Sequence, residues 1–407
     1  MAGFALTDQQ RFDWLRLIRT DSVGPRTFRS LVNRFGGAGP ALAALPDLAR
    51  SAGRAVILPS LAEIERELEQ SRRLGVRFVA LGEQGYPPAL AALSTAPPLI
   101  AIRGHMPALQ RPMVSLVGSR NASGLGLKFT EKLARELGEA GFLVVSGLAR
   151  GIDTAAHRAS LATGTLAVLA GGHGQIYPPQ NEPLVEELIA NGAAMSELPF
   201  TMEPRAHDFP RRNRLVAGVS LGVVVIEAAR KSGSLITARL ANEEGRTVFA
   251  VPGSPLDPRA EGTNDLIHSG ARICRSAQDI IAELEPQIGH VPQPMQLFDG
   301  AGSDDAGPAF DIEELDWLLG GAPAALAGRR RLAALVGPEI DDGPGADGAM
   351  PGDPEGVLLQ LLGTAPLHAD DVVRLSTMSA RLVQSTLVDL EMRGLVRRDP
   401  AGGYVRG

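Results

Sequence analysis

The sequence predicts an α/β fold with a doubly wound, mainly parallel sheet, between residues 75 and 287. Short apolar runs recur there, and each is followed by a turn rich in Gly, Ser or Pro. Helical stretches such as 125–140 and 234–244 lie between the runs. Because the runs do not alternate with polar residues, helices should cover both faces of the sheet. Strands are expected at 113–117, 142–145, 166–170, 221–226 and 247–251.

The region before this sheet, residues 1–74, is predicted to be a helical domain of the SAM-like or helix-hairpin-helix kind. Apolar residues recur at helical spacing from Phe12 to Ile18 and from Phe28 to Phe35. Gly24-Pro25 between them is typical of a helix-hairpin-helix turn, whose backbone N–H groups often contact a DNA phosphate. A helical bundle used only for packing explains the same pattern, and this alternative stays open.

Two further regions follow the sheet. Residues 288–353 are rich in Ala, Gly, Pro and Asp, which is typical of a flexible linker, with a transient helix expected at 312–336. Residues 354–407 contain three helical runs and then a hairpin, which is the order of a winged-helix domain. Its recognition-type helix, 379–393, mixes acidic and basic residues, so contact with a protein is favoured over contact with duplex DNA.

The composition limits the classes of function. The formal net charge is −6, so a nucleic-acid binder of this kind must concentrate its arginines locally. The single cysteine, Cys274, and the lack of a visible secretory signal suit a cytoplasmic protein. No apolar run is long enough to span a bilayer, so no membrane insertion is expected. P-loop, nucleophile-elbow and zinc-ligand spacings are absent, so we expect no catalytic residue, no metal and no cofactor.

Turns after several predicted strands carry the candidate binding residues. In a doubly wound sheet, ligands bind beyond the carboxyl ends of the strands, near the point where the strand order reverses. Small residues let backbone N–H groups approach an anion, and basic side chains add positive charge. The candidates are Gly118, Ser119, Arg120, Ser146, Gly147, Arg211, Arg212, Asn213, Arg214, Lys231, Ser232, Gly233 and Ser234.

The recurrence of these turns at one sheet edge suits the consecutive phosphates of a polynucleotide better than a mononucleotide. Each element also has a plainer explanation, because a Gly-Ser turn is often only a turn and clustered arginines are often solvated or paired with carboxylates. Asp153 and His157, four residues apart, are better explained by a helix-capping Asp above a packed His than by a catalytic pair.

These segments resemble the DNA-processing protein A family (DprA, also called Smf). The matching motifs occur in the same order over some 150 residues. They are Val117 to Arg120, Ser146 to Asp153 with His157, Tyr177-Pro178, Ser196-Glu197, Phe209 to Arg214, Ser232 to Ala238, Val251 to Gly253 and Gly262 to Asn264. One departure is Gly174, where the family usually has an acidic residue.

The resemblance implies a Rossmann-like domain that binds single-stranded DNA in a basic pocket, forms a homodimer and loads a RecA-type recombinase during DNA uptake. The flanking helical and winged-helix regions also resemble that family's optional domains. By motif match, the arginines and Lys231 contact the DNA backbone, while the small residues supply N–H and hydroxyl donors.

The leading hypothesis is therefore a single-stranded DNA-binding protein that protects incoming DNA and loads the recombinase. If around five phosphates are neutralised, log K should fall with log salt with a slope of roughly −3 to −4. The alternative is a phosphoribohydrolase-like enzyme with Glu197 or Glu227 as the acid, although its denser Pro-Gly-Gly signature is absent. A third possibility is an adaptor that acts through its winged helix.

Overall fold

A computed structural model of the chain describes residues 5–51, 55–289 and scattered positions between 355 and 406. The chain divides into two compact units, Met1–Gly337 and Pro338–Gly407. The predicted linker, apart from its first two residues, and the helix expected at 312–336 lie outside the described residues.

Helices pack together at the start of the first unit, as the sequence predicts. They are α1 (Asp8–Arg19), α2 (Pro25–Phe35), α3 (Ala38–Ser51) and α4 (Leu61–Arg73). The side chain of Thr7 caps α1, and α2 begins after Gly24 with Pro25 in its first turn, where a missing N–H costs nothing. Trp14 contacts Phe28 edge to face, with 5.0 Å between the ring centroids, so the two helices of the predicted hairpin share a core.

In the described part of the chain, nine strands form one sheet in the order β1-β2-β6-β5-β4-β3-β7-β8-β9. Strands β6 to β9 along this order are parallel, whereas β1 pairs with β2, and β2 with β6, in antiparallel fashion. The strand order reverses between β3 and β7. The strands are β1 (Arg77–Ala80), β2 (Leu99–Gly104), β3 (Met113–Val117), β4 (Leu143–Ser146), β5 (Thr165–Val168), β6 (Ala193–Ser196), β7 (Gly222–Val225), β8 (Thr247–Ala250) and β9 (Arg272–Ile273).

Helices cover both faces of this sheet, which confirms the doubly wound α/β class. They are α5 (Pro88–Ala91), α6 (Gly124–Glu139), α7 (Ile152–Ala159), α8 (Glu182–Leu188), α9 (Asp208–Gly218), α10 (Gly233–Glu243), α11 (Glu261–His268) and α12 (Ala277–Leu284). Helices α6, α7 and α12 share one core with Val144 and Val224, and α8 packs on the same face against Ala167 and Ala194. Helices α9 and α10 cover the opposite face.

The core on that opposite face continues without a break into the helical region. Leu15 and Phe28 of the helical region belong to the same buried cluster as Val145, Val168 and Val223 of the sheet. The helical region and the sheet domain are therefore packed as one body within the first unit. The division at residue 74, predicted from the change of sequence pattern, remains a prediction.

All five expected strands are present, but the sequence pattern misses β1, β2, β6 and β9. Strand β6 reads Ala-Ala-Met-Ser, whose small residues carry little strand propensity, and β9 has only two exposed residues. These two strands form because their neighbours in the sheet supply hydrogen-bond partners. Local sequence does not contain that information.

The described residues of the second unit fit the expected winged helix. Val383, Leu387 and Leu390 are buried at helical spacing, and β10 (Val396–Arg398) pairs with β11 (Tyr404–Arg406) as an antiparallel hairpin. Among all described residues, no helix combines the length and apolarity needed to cross a membrane.

Candidate functional site

A pocket of about 300 Å³ opens beyond the carboxyl ends of β3, β4 and β5, beside the switch point of the sheet. Turns after these three strands and the first turn of α9 line it. This is where the doubly wound fold predicts a ligand site. The lining residues are Arg120, Gly147, Ala149, Arg150, Tyr177, Pro178, Pro179, Gln180, Phe209 and Arg212.

The rim of the pocket combines a cation with two aromatic rings. The guanidinium carbon of Arg120 lies 5.3 Å from the ring centroid of Phe209. Tyr177 meets Phe209 edge to face, with 5.5 Å between the centroids, and 47% of Tyr177 is exposed. Cation–π attraction holds the Arg120 charge over the ring, while the exposed face of Tyr177 remains available to a planar group.

The floor of the pocket is Arg212, which is only 6% exposed. Its Nη1 donates to the carbonyl of Gly147 and, at 2.6 Å, to the carbonyl of Val168. Burial lowers the pKa of Arg212 to about 10, the nearby Asp153 carboxylate opposes this, and repulsion from Arg120 adds to it. The guanidinium is therefore still charged at neutral pH, and the pocket has a positive floor.

The turn after β4 already holds an anion of its own. The Oδ2 atom of Asp153 accepts from the N–H groups of Gly147 at 3.1 Å and Ala149 at 3.2 Å. Ser146 is fully buried, and its hydroxyl donates to the carbonyl of Leu116 at 2.7 Å. The prediction that Ser146 and Gly147 donate to a ligand is corrected, because both donors are satisfied within the protein. Gly147 still lines the pocket through its carbonyl side.

The turn after β3 also holds a carboxylate where the sequence predicts a phosphate. Glu227 accepts from the backbone N–H of Ser123 at 2.9 Å and from its hydroxyl at 2.5 Å, at the N-terminus of α6. A helix N-terminus favours an anion, and Glu227 supplies it. The Ser123 end of the predicted phosphate cradle at residues 118–123 is therefore occupied by a carboxylate of the protein itself.

Gly118 and Ser119 serve the packing of this turn. A methyl group at Gly118 would lie 2.7 Å from the side chain of Ile152, so only glycine fits. The hydroxyl of Ser119 accepts from the N–H of Asn121 at 3.1 Å, and its carbonyl accepts from Ile152 at 3.3 Å. The Ser119 hydroxyl accepts in this turn, so its own O–H and the backbone N–H of Gly118 keep their predicted role as donors to a ligand, which stays a prediction. The packing contacts also explain how the turn projects Arg120 over the pocket.

Two of the predicted arginines are paired with a carboxylate. Arg211 Nε lies 2.7 Å from Glu197, and Arg214 Nη2 is bound to the other oxygen of the same carboxylate. Arg214 also donates to the carbonyl of Thr95 at 2.9 Å. The DNA-contact role predicted for Arg214 is corrected, because its donors point into the protein. Arg211 keeps partial exposure at the surface but stands outside the pocket lining.

The candidates around α10 lie beyond the pocket lining. Lys231 is exposed, and Ser232 caps α10 with its hydroxyl 2.7 Å from that of Ser234. Asn213 joins this turn to the floor, because its amide donates to the carbonyl of Gly233 at 3.3 Å and its oxygen accepts from Arg212 at 3.2 Å. The structure thus brings Arg120, Gly147 and Arg212 together, with Lys231 on a neighbouring turn.

Sequence analysis omitted Arg150, Tyr177, Gln180 and Phe209 from the site. Tyr177 and Phe209 stand within the motifs quoted for the family resemblance, and Arg150 is in the same turn as Gly147, so a signal was present. Their convergence depends on how α9 packs against the turn after β5. That packing is not visible in the sequence.

His157 follows the plainer explanation, whereas Asp153 does not cap its helix: the N-cap residue of α7 is Gly151, and Asp153 binds the N–H groups of the preceding turn. Thr165 donates its hydroxyl to the carbonyl of Val144, so it accepts from Nδ1–H of His157 at 2.8 Å. Burial lowers the pKa of His157 to about 3, with nearby Arg212 adding to the effect. This histidine is a neutral packing residue at neutral pH.

The acids named for the enzyme alternative are engaged elsewhere. Glu197 binds Arg211 and Arg214, Glu227 binds Ser123, and neither glutamate lines the pocket. Among the described residues, no group of three His, Cys, Asp or Glu side chains could hold a metal ion.

Three family models match successive parts of the chain and define a Rossmann-like core with two flanking domains. The model described as DNA recombination-mediator protein A matches residues 77–285. A DprA-like N-terminal HHH domain matches residues 8–69, and a DprA winged helix domain matches residues 344–402.

Known proteins agree with these matches. Protein Smf of Synechocystis sp. is 34% identical over 349 residues, which cover 83% of this chain and 82% of that protein. The DNA processing protein DprA of Bacillus subtilis is 40% identical over 225 residues, 54% of this chain and 76% of that one. The X-ray structure of DprA from Streptococcus pneumoniae superposes with a TM-score of 0.57 at 32% identity, covering 69% of this chain and 99% of that one.

The chain belongs to the DNA recombination-mediator protein A family, as its motifs predict. Its role is that of a DNA recombination mediator.

Proposed function

We propose that the chain binds single-stranded DNA in the pocket between the turns after β3, β4 and β5 and the start of α9. One observation carries the proposal: Arg120 and Arg212 share one open pocket with the rings of Tyr177 and Phe209. Single-strand binders combine positive charge for the backbone with aromatic rings on which bases stack. Duplex DNA keeps its bases stacked inside the helix, so the ring of Tyr177 offers it nothing.

The proposed contacts differ from those expected from the sequence. Side chains carry them: Arg120, Arg150 and Arg212 face backbone phosphates, and Tyr177 supports a base. The backbone N–H groups of Gly147, Ala149 and Ser123 are not among them, since Asp153 and Glu227 accept their hydrogen bonds. The DNA strand would continue from the pocket past Lys231 and the turn at 232–234, with Arg211 at the edge of this surface.

The test compares the affinity for a single-stranded oligonucleotide with that for its duplex, by fluorescence anisotropy. Arg120→Ala removes an exposed cation from the rim and should weaken single-strand binding with no change in folding. Arg103→Ala is the matched control, because Arg103 pairs with Glu186 outside the pocket lining and its loss changes the net charge equally. Equal affinity for both DNA forms, or equal loss in both variants, would rule out the pocket.

The proposal extends to protection of incoming DNA and loading of a RecA-type recombinase by a cytoplasmic homodimer that performs no chemistry on DNA. Family membership supports this extension. Light scattering measures the dimer directly. Recombinase ATPase activity on DNA coated with single-strand-binding protein measures loading, and no stimulation by this chain would remove that part.

A further inference from the structure

We infer that the buried ion pair between Arg19 and Glu67 in the helical region positions the pocket of the sheet domain. The pair does so by binding residues 197–202, the first part of the connection between β6 and α9. We call these residues the segment. The consequence of this positioning for DNA binding rests on the proposed function, whereas its consequence for pocket geometry does not. The inference makes the helical region a determinant of the binding site, although none of its residues lines the pocket.

The first step is that the pair forms hydrogen bonds with the backbone of the segment. Arg19 ends α1 and Glu67 lies in α4, with 2.9 Å between Nη2 and Oε1 and both side chains about one-tenth exposed. Arg19 Nη1 donates to the carbonyl of Glu197 at 2.9 Å. Oε1 of Glu67 accepts from the backbone N–H of Phe200 at 3.1 Å. The pair therefore offers the segment one donor and one acceptor at fixed positions.

The second step joins the segment to the pocket wall that follows β5. The N–H of Gly172 donates to the carbonyl of Met202, and the N–H of Gly174 to that of Phe200, both at 2.9 Å. The backbones are so close that a methyl group at Gly172 would overlap the carbonyl of Pro199. Tyr177, whose exposed ring is part of this wall, is three residues after Gly174. Displacement of the segment must therefore displace this wall.

The third step joins the segment to the other wall. The carboxylate of Glu197 binds Arg211 and Arg214 on α9. Arg212, the floor of the pocket, lies between these two arginines in the sequence of α9. Phe209, which belongs to the aromatic rim, lies two residues before Arg211. Both walls thus depend on one segment, whose backbone is held by the pair in the helical region. Coupling of this kind travels through contiguous contacts that are all present in the structure.

A design is needed that separates positioning from general stability, because breaking any buried ion pair destabilises a protein. The double variant Arg19→Glu/Glu67→Arg retains opposite charges in the same place. However, a carboxylate cannot donate to the Glu197 carbonyl, and a guanidinium cannot accept from the Phe200 N–H. The swap therefore preserves the pair and mismatches both of its contacts with the segment.

A matched control exists in the same helix. Arg11 of α1 pairs with Glu83 at 2.6 Å and donates to the carbonyl of Phe78 at 2.7 Å, so it too fastens α1 to the sheet domain. Within the described residues, the hydrogen bonds of Arg11 and Glu83 do not reach residues 197–202. The swap Arg11→Glu/Glu83→Arg should cost comparable stability without disturbing the pocket.

The experiment measures hydrogen exchange of residues 171–181 and 197–212 in the free protein, and affinity for a single-stranded oligonucleotide. Both are recorded at a temperature where thermal melts show every variant folded. We expect the Arg19/Glu67 swap to raise exchange in both ranges and to weaken binding by about 3- to 30-fold. The Arg11/Glu83 swap should change neither.

Unchanged exchange in the Arg19/Glu67 swap, or an equal change in the control swap, would overturn the inference. If the swap does not fold, Arg19→Lys takes its place, because a single ammonium keeps the charge beside Glu67 but cannot reproduce the separate Nη1 contact with the Glu197 carbonyl, and it should give a smaller effect of the same kind. A wild-type chain that shows no preference for single-stranded DNA would remove the proposed function, while the exchange data would still test the coupling.

Discussion

The turns after β3 and β4 differ from the rim of the pocket in whether their hydrogen-bond donors already have a partner in the protein. In the turns, the backbone N–H groups of Ser123, Gly147 and Ala149 donate to carboxylates of the protein itself, those of Glu227 and Asp153. At the rim, Arg120 and Tyr177 remain open to the solvent. A Gly-rich turn in a doubly wound sheet is therefore not by itself a phosphate site. Its donors must also be unoccupied, and here three of them already bind a carboxylate, so the proposed binding depends mainly on side chains.

The largest effect should come from removing the Asp153 carboxylate that the turn after β4 binds. Asp153→Ala leaves two buried N–H groups and the Arg212 cation without a carboxylate, which should lower the free energy of unfolding by about 3–5 kcal/mol. Asp153→Asn keeps an acceptor oxygen and should cost less. Chemical denaturation measures both. If Asp153→Ala were as stable as the wild type and bound DNA more tightly, the turn would be a phosphate site that Asp153 merely blocks.

The next effect concerns the rim. Tyr177→Ala removes the exposed ring and should weaken single-strand binding by about 1–3 kcal/mol, as is usual for base stacking. Tyr177→Phe keeps the ring and should retain nearly full affinity. Tyr86→Phe is a suitable control, since Tyr86 is buried and its hydroxyl binds the carbonyl of Pro97 away from the pocket lining. Anisotropy titrations with a short oligonucleotide make the measurement; an unaltered Kd for Tyr177→Ala would show that the ring does not support a base.

A smaller effect separates side-chain from backbone binding. Arg214 is paired with Glu197, so Arg120, Arg150 and Arg212 are the cations that can contact phosphates in the pocket. They correspond to about three phosphate contacts. The slope of log K against log salt should then be about −2, not the −3 to −4 expected from the sequence. Titrations over a range of salt concentrations measure it, and Arg150→Ala should reduce the slope further. A slope as steep as −4 would mean that more of the candidate residues reach the DNA.

The last effect is a dependence of stability on pH that two buried histidines create. Burial lowers the pKa of His157 to about 3 and that of His173 to about 4, so the unfolded chain binds protons more readily than the folded one below about pH 6.5. The free energy of unfolding should therefore fall as the pH falls from 6.5 toward 4. Burial raises the pKa of Asp153, which opposes this trend.

The comparison variants for pH are His157→Gln, which should flatten the decline, and His207→Gln, which removes an exposed histidine and should leave it in place. Urea denaturation at pH 7 and pH 5 measures the difference. An identical decline in all three proteins would place its origin outside His157.

Much of the fold was predictable because it depends on local pattern. Apolar runs such as 113–117 and the helix at 124–139 lie within a residue or two of their expected limits. Strand β6 was missed, because its small residues become a strand only when neighbours pair with them. Strand β2 begins with the apolar run Leu-Ile-Ala-Ile, so the sequence did contain a signal for it.

The candidate site was predictable in its location and only partly in its residues. The carboxyl ends of the strands and the start of α9, which the sequence singled out, line a pocket that includes Arg120 and Arg212. Contact of these two arginines with DNA stays a prediction. The predictions for Ser146 and Arg214 were wrong. A residue's type and position do not reveal whether its donors already have partners, and those partners, Leu116 and Glu197, come from distant parts of the chain.

By itself, the sequence determined the doubly wound sheet, the helical and winged-helix flanks and the family, because periodicity and ordered motifs are properties of the chain alone. Only the tertiary structure decided which cations remain available to DNA. A carboxylate at position 153 or 227 becomes the partner of a given N–H through folding, and the Coulomb attraction that decides between a protein anion and a phosphate acts over a few ångströms of space.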